Sequence, residues 1–264
     1  IPSNEEDAST RRIRQIRDII SGEVDLDGLL AVADSSPLPH KPISPVAAAA
    51  AGRVRIAIAQ DTAFGFYYPD DLIALEQAGA ELVRINTLAD TSLPAVDGLF
   101  IGGGFPETQM QALSANVAMR EQVRAAIANG LPAYAECGGL MYLCRSLRWQ
   151  GLHYEMTGVI PADCVMHERP QGRGYVRLRE TAAMPWAGPR PDGEIAAHEF
   201  HYSALENITE PLTFAYDVMR GAGVDGDHDG IVINNLLASY THMRDTRQHH
   251  WARRFVDYAR RCRG

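Results

Sequence analysis

The sequence predicts an α/β domain of three layers, with a mostly parallel central sheet and an antiparallel extension. Two observations carry this. From Val54 to Leu147 short apolar runs alternate with helical stretches, the pattern of strands joined by helical crossovers. After Trp149 the texture changes to shorter β-like pieces, which suit antiparallel strands.

In order, Arg11 to Ile20 is charged and amphipathic, and the run from Val24 to Ala33 restarts a helix after Gly22. Four prolines between Ser35 and Pro45 predict a linker, which sets a domain boundary between residues 1–52 and 53–264. Strands follow at Val54 to Ala59, Glu81 to Asn86, Gly98 to Ile101 and Leu131 to Glu136. Helices are expected at Pro69 to Gly79, Met110 to Ala128 and Gly139 to Leu147. The late β-like pieces are Thr157 to Val165, Gly174 to Arg179, Glu194 to His198, Thr213 to Met219 and Gly230 to Asn234. All of them are expected in the antiparallel extension, and a helix near Arg247 to Arg261 closes the chain.

With 264 residues, 46% of them apolar, the chain can bury a full core. A net charge of -8 argues against a nucleic-acid binder, which needs a basic stripe. No apolar run is long enough to span a membrane. The polar, acidic start is unlike a signal peptide, and a start without Met suggests a piece of a longer protein. Four cysteines without CxxC spacing disfavour a zinc ribbon or a disulfide framework and suggest a reducing, cytoplasmic setting.

The sharpest chemical feature is Leu131-Pro-Ala-Tyr-Ala-Glu-Cys-Gly-Gly-Leu-Met-Tyr142. A strand runs into Cys137, and a helix begins at once after it. Such a nucleophile elbow needs small neighbours, which Gly138 and Gly139 supply, and a thiol at a helix start is favoured as the thiolate. The bland alternative is a buried structural cysteine. A second feature, Asp97-Gly-Leu-Phe-Ile-Gly-Gly-Gly-Phe-Pro-Glu107, delivers three glycines into a loop whose backbone NH groups can hold an oxyanion. A plain tight turn or a phosphate loop would read the same way. The third is Leu237-Ala-Ser-Tyr-Thr-His-Met243, where His242 is a base distant in sequence, as cysteine chemistry requires.

Together these motifs resemble a class I, triad-type glutamine amidotransferase domain, which implies a flavodoxin-like three-layer sandwich. More narrowly, Gly102-Gly-Gly-Phe-Pro-Glu107, Ala135-Glu-Cys-Gly-Gly-Leu-Met-Tyr142, His198-Glu-Phe-His-Tyr-Ser203 and Ala238-Ser-Tyr-Thr-His242 resemble the cobyrinic acid a,c-diamide synthase family. The resemblance implies that Cys137 attacks the glutamine side-chain amide and that His242 shuttles protons. It also implies that NH groups at Gly103 or Gly104 and at Gly138 hold the oxyanion. The ammonia would then amidate a corrin-type carboxylate after activation by ATP. Residues 1–52 resemble the tail of that family's ATP-binding domain followed by a linker.

Two departures stand out. Position 244, where many triad enzymes carry the Glu that orients the His, is Arg244, so either Glu199 or another carboxylate serves, or the site is a dyad. There is no GxxxxGK followed by Ser or Thr, so ATP and Mg are expected on a part of the enzyme outside this chain. The expected partners are L-glutamine and, through that other part, a tetrapyrrole; the resemblance leaves a homodimer open. Relatives that amidate sirohaem or nickel-sirohydrochlorin, a cysteine hydrolase of the same superfamily and a non-catalytic tetrapyrrole-binding module are the rival readings.

His198 and His201 lie three apart on a strand and are expected to shape the substrate or ammonia path rather than to bind a metal. Asp225-Gly-Asp-His-Asp-Gly230 imitates the start of a calcium loop but lacks its closing Glu, so it reads as a hairpin turn. Arg173, Tyr175, Arg177 and Arg179 alternate onto one strand face, which is either solvated or a receiver of carboxylates.

Overall fold

The computed structural model describes residues 6–35, 53–186 and 193–263. The chain divides into two compact units, Ile1–Ala47 and Ala48–Gly264. In the first, α1 (Glu6–Glu23) and α2 (Leu26–Asp34) are the two expected helices. Asp25 caps α2, its carboxylate accepting from Gly28 N at 2.9 Å. Leu29, Leu30 and Val32 of α2 are exposed. Most of the proline-rich segment expected as a linker lies outside the described residues.

The second unit opens with β1 (Val54–Ala59), β2 (Phe64–Phe66), α3 (Pro69–Gln77), β3 (Ala80–Ile85), β4 (Gly98–Ile101) and β5 (Gly103–Gly104). A single 3-10 turn, Pro106–Thr108, leads into α4 (Met110–Ala115) and α5 (Val117–Ala128). The expected single helix is thus two, divided at Asn116, whose side chain caps α5 and also donates to Thr87 O and Asp90 O. Then come β6 (Ala133–Glu136), α6 (Gly138–Leu143), β7 (Cys144–Trp149), β8 (Leu152–Glu155), β9 (Ile160–Met166), β10 (Gly172–Glu180) and β11 (Ile195–His201). β12 (Ser203–Glu206), β13 (Thr213–Arg220), β14 (His228–Ile233), β15 (Leu236–Ser239) and α7 (Trp251–Cys262) complete it.

The main sheet has nine strands in the order β11-β10-β13-β14-β15-β6-β4-β1-β3. Pairing is parallel from β15 to β3 and antiparallel from β11 to β15, as the alternation and the later change of texture predict. Alternate residues of each central strand enter separate cores. Ala57, Leu99, Ile101, Ala133, Ala135 and Leu236 pack with Leu113, Met119, Val123 and Ile127 of α4 and α5. Ile56, Ile58, Phe100, Tyr134 and Leu237 pack with Leu75 of α3 and with Trp251, Phe255 and Val256 of α7. Strands buried on both faces are apolar at nearly every position, which is why they read as short apolar runs.

Two expectations fail. The helix expected over Gly139 to Leu147 stops at Leu143, and Cys144–Trp149 is a strand. Leu140, Leu143 and Leu147 recur at helical spacing, but Gln150 (φ 50°) and Gly151 (φ 76°) turn the chain into the tight hairpin of β7 and β8. In addition, β9 does not extend the main sheet. It joins β7, β8 and β12 in a separate four-stranded sheet. The buried Asp163 ties that sheet together, accepting from Ser146 Oγ at 2.8 Å and from Arg145, Arg148 and Asn207 at 2.9 Å.

Gly139 is among the least tolerant positions in the second unit. A Cβ on Gly139 would stand 2.1 Å from the carbonyl oxygen of Ile101, which is backbone and cannot swing away. Gly139→Ala is therefore expected to cost about 3 kcal/mol or more, the upper range of overpacking. A denaturant melt checks it, and an unchanged midpoint would refute this account of the elbow's packing.

Candidate functional site

Strands β6 and β15 run side by side and parallel, with Glu136 opposite Ser239. The chain leaves β6 at Cys137 and leaves β15 towards His242, so both reach the carboxyl edge of the sheet together. Cys137 N donates to Ser239 O at 2.7 Å, closing the pair at its end. Cys137 adopts φ 47° and ψ -99°, a strained conformation for a residue with a side chain, and is 7% exposed. A sharp strand-to-helix turn imposes this geometry, and it lifts the thiol out of the sheet.

The glycine loop is pressed against this turn. Gly139 N donates to Gly102 O at 3.1 Å, and a Cβ on Gly138 would lie 2.9 Å from Gly104 N. A Cβ on Gly103 would meet His242 Cε1 at 2.6 Å. Gly103 and Gly104 also pair with Phe66 and Phe64 of β2, and Tyr67 OH accepts from Gly102 N at 3.0 Å. Gly103, Gly104 and Gly138 are thus brought together around Cys137 and His242. The glycines serve close backbone approach and do not form an open phosphate cradle.

His242 is 4% exposed and fixed on several sides. Just before it, the buried Asp229 carboxylate accepts from Tyr240 N and Thr241 N, both at 3.0 Å, and from Thr241 Oγ1 at 2.6 Å. His242 and His198 exchange backbone hydrogen bonds of 2.8 and 3.3 Å, and their rings stack with centroids 5.1 Å apart. Phe66 meets the His242 ring edge-on at 5.1 Å. Nδ1 of His242 lies 3.3 Å from Glu136 Oε2. Burial opposes a charge on this ring, yet the Cys137 side chain and the Glu136 carboxylate together push its pKa up to about 10.

The strand that carries His198, Glu199 and His201 divides them between two faces. His198 stands at the site, half-buried, with Tyr68 OH 3.3 Å from its Nδ1, and burial together with His242 lowers its pKa. The Cys137 thiol lies 3.9 Å from Phe200 O on the same strand. Glu199 and His201 point into the opposite face. The Glu199 carboxylate accepts from Ala222 N at 2.7 Å and Gly223 N at 2.9 Å, with His201 Nε2 at 3.7 Å. His201 stacks on Tyr240 at 3.9 Å and contacts Ser203 O through Nδ1 at 2.8 Å. The carboxylate beside His242 is therefore Glu136 and not Glu199, because strand parity turns Glu199 inward. Glu136 escapes a sequence reading that sees only the last residue of an apolar strand. An acid there would need a buried partner, and that was the available signal.

Arg244 is turned away from the ring. Its guanidinium lies over Tyr68 at 4.0 Å and contacts Asp70 at 3.1 Å and Asp71 at 3.7 Å. Asp225 Oδ1 accepts from Asp227 N and His228 N, so the calcium-like stretch is the turn between β13 and β14. Among the described residues, no group of three or more His, Cys, Asp or Glu side chains is arranged to hold a metal ion. No described helix is long and apolar enough to cross a membrane. Arg173, Tyr175, Arg177 and Arg179 are exposed on β10, and Tyr175 is paired with His198 across the strands.

The profile of the CobB/CobQ-like glutamine amidotransferase domain matches residues 55–248. A cobyrinate a,c-diamide synthase of Magnetococcus marinus is 44% identical over 258 residues, 96% of this chain and 55% of that protein. Those of Archaeoglobus fulgidus and Methanosarcina acetivorans are 39% and 37% identical, over 92% and 96% of this chain and 53% and 54% of theirs. The chain thus spans about half the length of these curated relatives. Among solved structures, PurLQS from Thermotoga maritima superposes with a TM-score of 0.59 at 14% identity, over 79% of this chain and 98% of that one. A glutamine amidotransferase gives 0.54 at 15% identity, over 77% and 98%. At these identities the likeness speaks for the fold alone, that of class I glutamine amidotransferases. Profile and relatives agree, and the chain belongs to the CobB/CobQ-like glutamine amidotransferase domains.

Proposed function

We propose that this chain hydrolyses glutamine and supplies ammonia for the ATP-dependent amidation of a corrin-type polycarboxylate, carried out by a cobyrinate a,c-diamide synthase of which it forms a part. The observation that carries the reading is Cys137 in a strained elbow, with the His242 ring and the glycine loop packed against it. In the first half-reaction the Cys137 sulfur attacks the side-chain amide carbon of glutamine. The resulting oxyanion is held by NH groups of Gly103 or Gly104 and of Gly138. His242 gives its proton to the departing nitrogen, ammonia leaves, and a glutamyl thioester remains. Water, deprotonated by His242, then attacks the thioester and releases glutamate. The balance is glutamine plus water to glutamate plus ammonia.

Ammonia cannot displace oxygen from a carboxylate that has not been activated. ATP and Mg are assigned to a part of the enzyme beyond this chain, because the sequence has no GxxxxGK followed by Ser or Thr to cradle a triphosphate. Residues 1–35 are assigned to the connection with that part, since the two helices present exposed apolar side chains. Corrin as the acceptor rests on the relatives, and a cytoplasmic location on the scattered cysteines of the sequence.

Cys137→Ser is expected to abolish glutamine hydrolysis and leave the melting temperature nearly unchanged, since Ser keeps the volume and lacks a ready anion. A glutamine-analogue electrophile should label Cys137, as located by mass spectrometry. Hydrolysis by Cys137→Ser at the wild-type rate, or labelling elsewhere, would sink the assignment. Labelling at Cys137 with turnover of substrates unrelated to glutamine would favour the hydrolase alternative.

Gly103→Ala is expected to push the His242 ring aside and reduce kcat by about tenfold or more, because general acid-base catalysis depends on placement. Steady-state kinetics with a matched melt would check this. Titration calorimetry with Mg-ATP should give no micromolar binding, and tight binding would overturn the two-part reading.

A further inference from the structure

We infer that Glu136, the residue immediately before the nucleophile, is the carboxylate that positions His242, in place of a carboxylate two residues beyond it. The inference rests on the proposed glutaminase role of Cys137 and His242. Glu136 is 3% exposed and ends β6. Its Oε2 lies 3.3 Å from His242 Nδ1, and its Oε1 accepts from Met243 N at 3.0 Å and from Tyr134 OH at 2.6 Å. One carboxylate thus holds the ring and the backbone of the next residue at once. A buried carboxylate needs such satisfaction, and here its partners are the Met243 NH, the Tyr134 hydroxyl and the imidazole itself.

The geometry fixes more than distance. With Nδ1 occupied by Glu136 and Cε1 against Gly103, Nε2 is the nitrogen left to serve Cys137. An imidazole whose Nδ1 proton is held by a carboxylate has a defined tautomer and a raised basicity. Arg244 stands where the sequence pattern of many triad enzymes places the acid, and it cannot accept that proton. It is drawn instead to Asp70 and Asp71. Because β6 and β15 pair in parallel, the elbow strand itself supplies the acid.

The titratable and charged groups around the pair come from several elements. Tyr134 on β6 and Cys137 are nearest along the chain, and His198 on β11 stacks on His242. Tyr68 and Asp71 at the start of α3, with Tyr67 and Tyr216, feel the Glu136 charge. Arg244 is the cation facing Tyr68, Asp71 and His198. Of these, Glu136 and Cys137 are what raise His242, so removing the Glu136 charge must lower the His242 pKa.

The test uses the full chain as Glu136→Gln and Glu136→Asp, with glutaminase kinetics over pH and ¹⁵N NMR of His242. Wild type should show an Nδ1–H His242 bonded to a carboxylate, a measurement that needs neither turnover nor a folded variant. Glu136→Gln should lower kcat on the order of 10²-fold with KM for glutamine changed less than about threefold, and should shift the His242 titration to lower pH. Glu136→Asp, which keeps the charge on a shorter arm, should recover part of kcat and part of the titration shift. Wild-type kcat in Glu136→Gln, an unmoved His242 titration, or a wild-type ring that on losing its charge keeps the proton on Nε2 instead of Nδ1 would each overturn the inference. Wild type that binds but never hydrolyses glutamine would instead refute the proposed function, so the two failures are distinct.

Discussion

The parallel pairing of β6 with β15 is the constraint on which the rest of the site depends. It sets Glu136 opposite Ser239 and so brings together Glu136 and His242, which are 106 residues apart in sequence. Closing so long a loop costs entropy, and only the packed cores on the two faces of the sheet can offset it. The aromatic cluster of Phe100, Tyr134, Trp186, Trp251 and Phe255 lies directly behind the elbow strand. The elbow strand is thereby backed by fully buried aromatic rings.

The strain at Cys137 fits the same frame. A positive φ at a non-glycine residue persists only where its surroundings over-determine it. Here Cys137 N is tied to Ser239 O, Cys137 O receives Met141 N, and Gly139 is tied to Gly102 O. Around them a Cβ at Gly138, Gly139 or Gly104 would collide with the backbone of Gly104, Ile101 or Ala63. The glycines around the thiol are thus required by contact, and the oxyanion donors proposed above are backbone NH groups of the same tightly packed residues.

What the sequence made legible was local. The elbow is one contiguous stretch whose turn demands small residues, and the glycine loop and His242 sit at strand ends that periodicity can find. The opposed faces of His198 and His201 followed from strand parity, and the same parity would have excluded Glu199 as His242's partner. Glu136 was hidden because its role arises from register between two strands, which no local pattern encodes. The separate sheet of β7, β8, β9 and β12 was hidden for a similar reason. Gln150-Gly151 turns the chain back before the helical spacing of Leu140, Leu143 and Leu147 can act.

The electrostatics of His242 also bear on how one residue can act first as an acid and then as a base. In the free site its pKa lies at about 10, raised by both Cys137 and Glu136 against the effect of burial. At neutral pH the ring then holds the proton, which suits it to protonate the departing nitrogen. Once the sulfur is acylated, the Cys137 side chain no longer raises the His242 pKa. One of the two causes that raised the ring has then been removed, while burial still opposes a charge. The His242 pKa must fall at the stage where a neutral imidazole is needed to deprotonate water. Nearby, His198 is held low by burial and by His242, and Asp71 is pushed up to about 7, chiefly by burial. On the proposed mechanism, acylation of Cys137 itself switches the role of His242, and Glu136 keeps the ring in place through both halves.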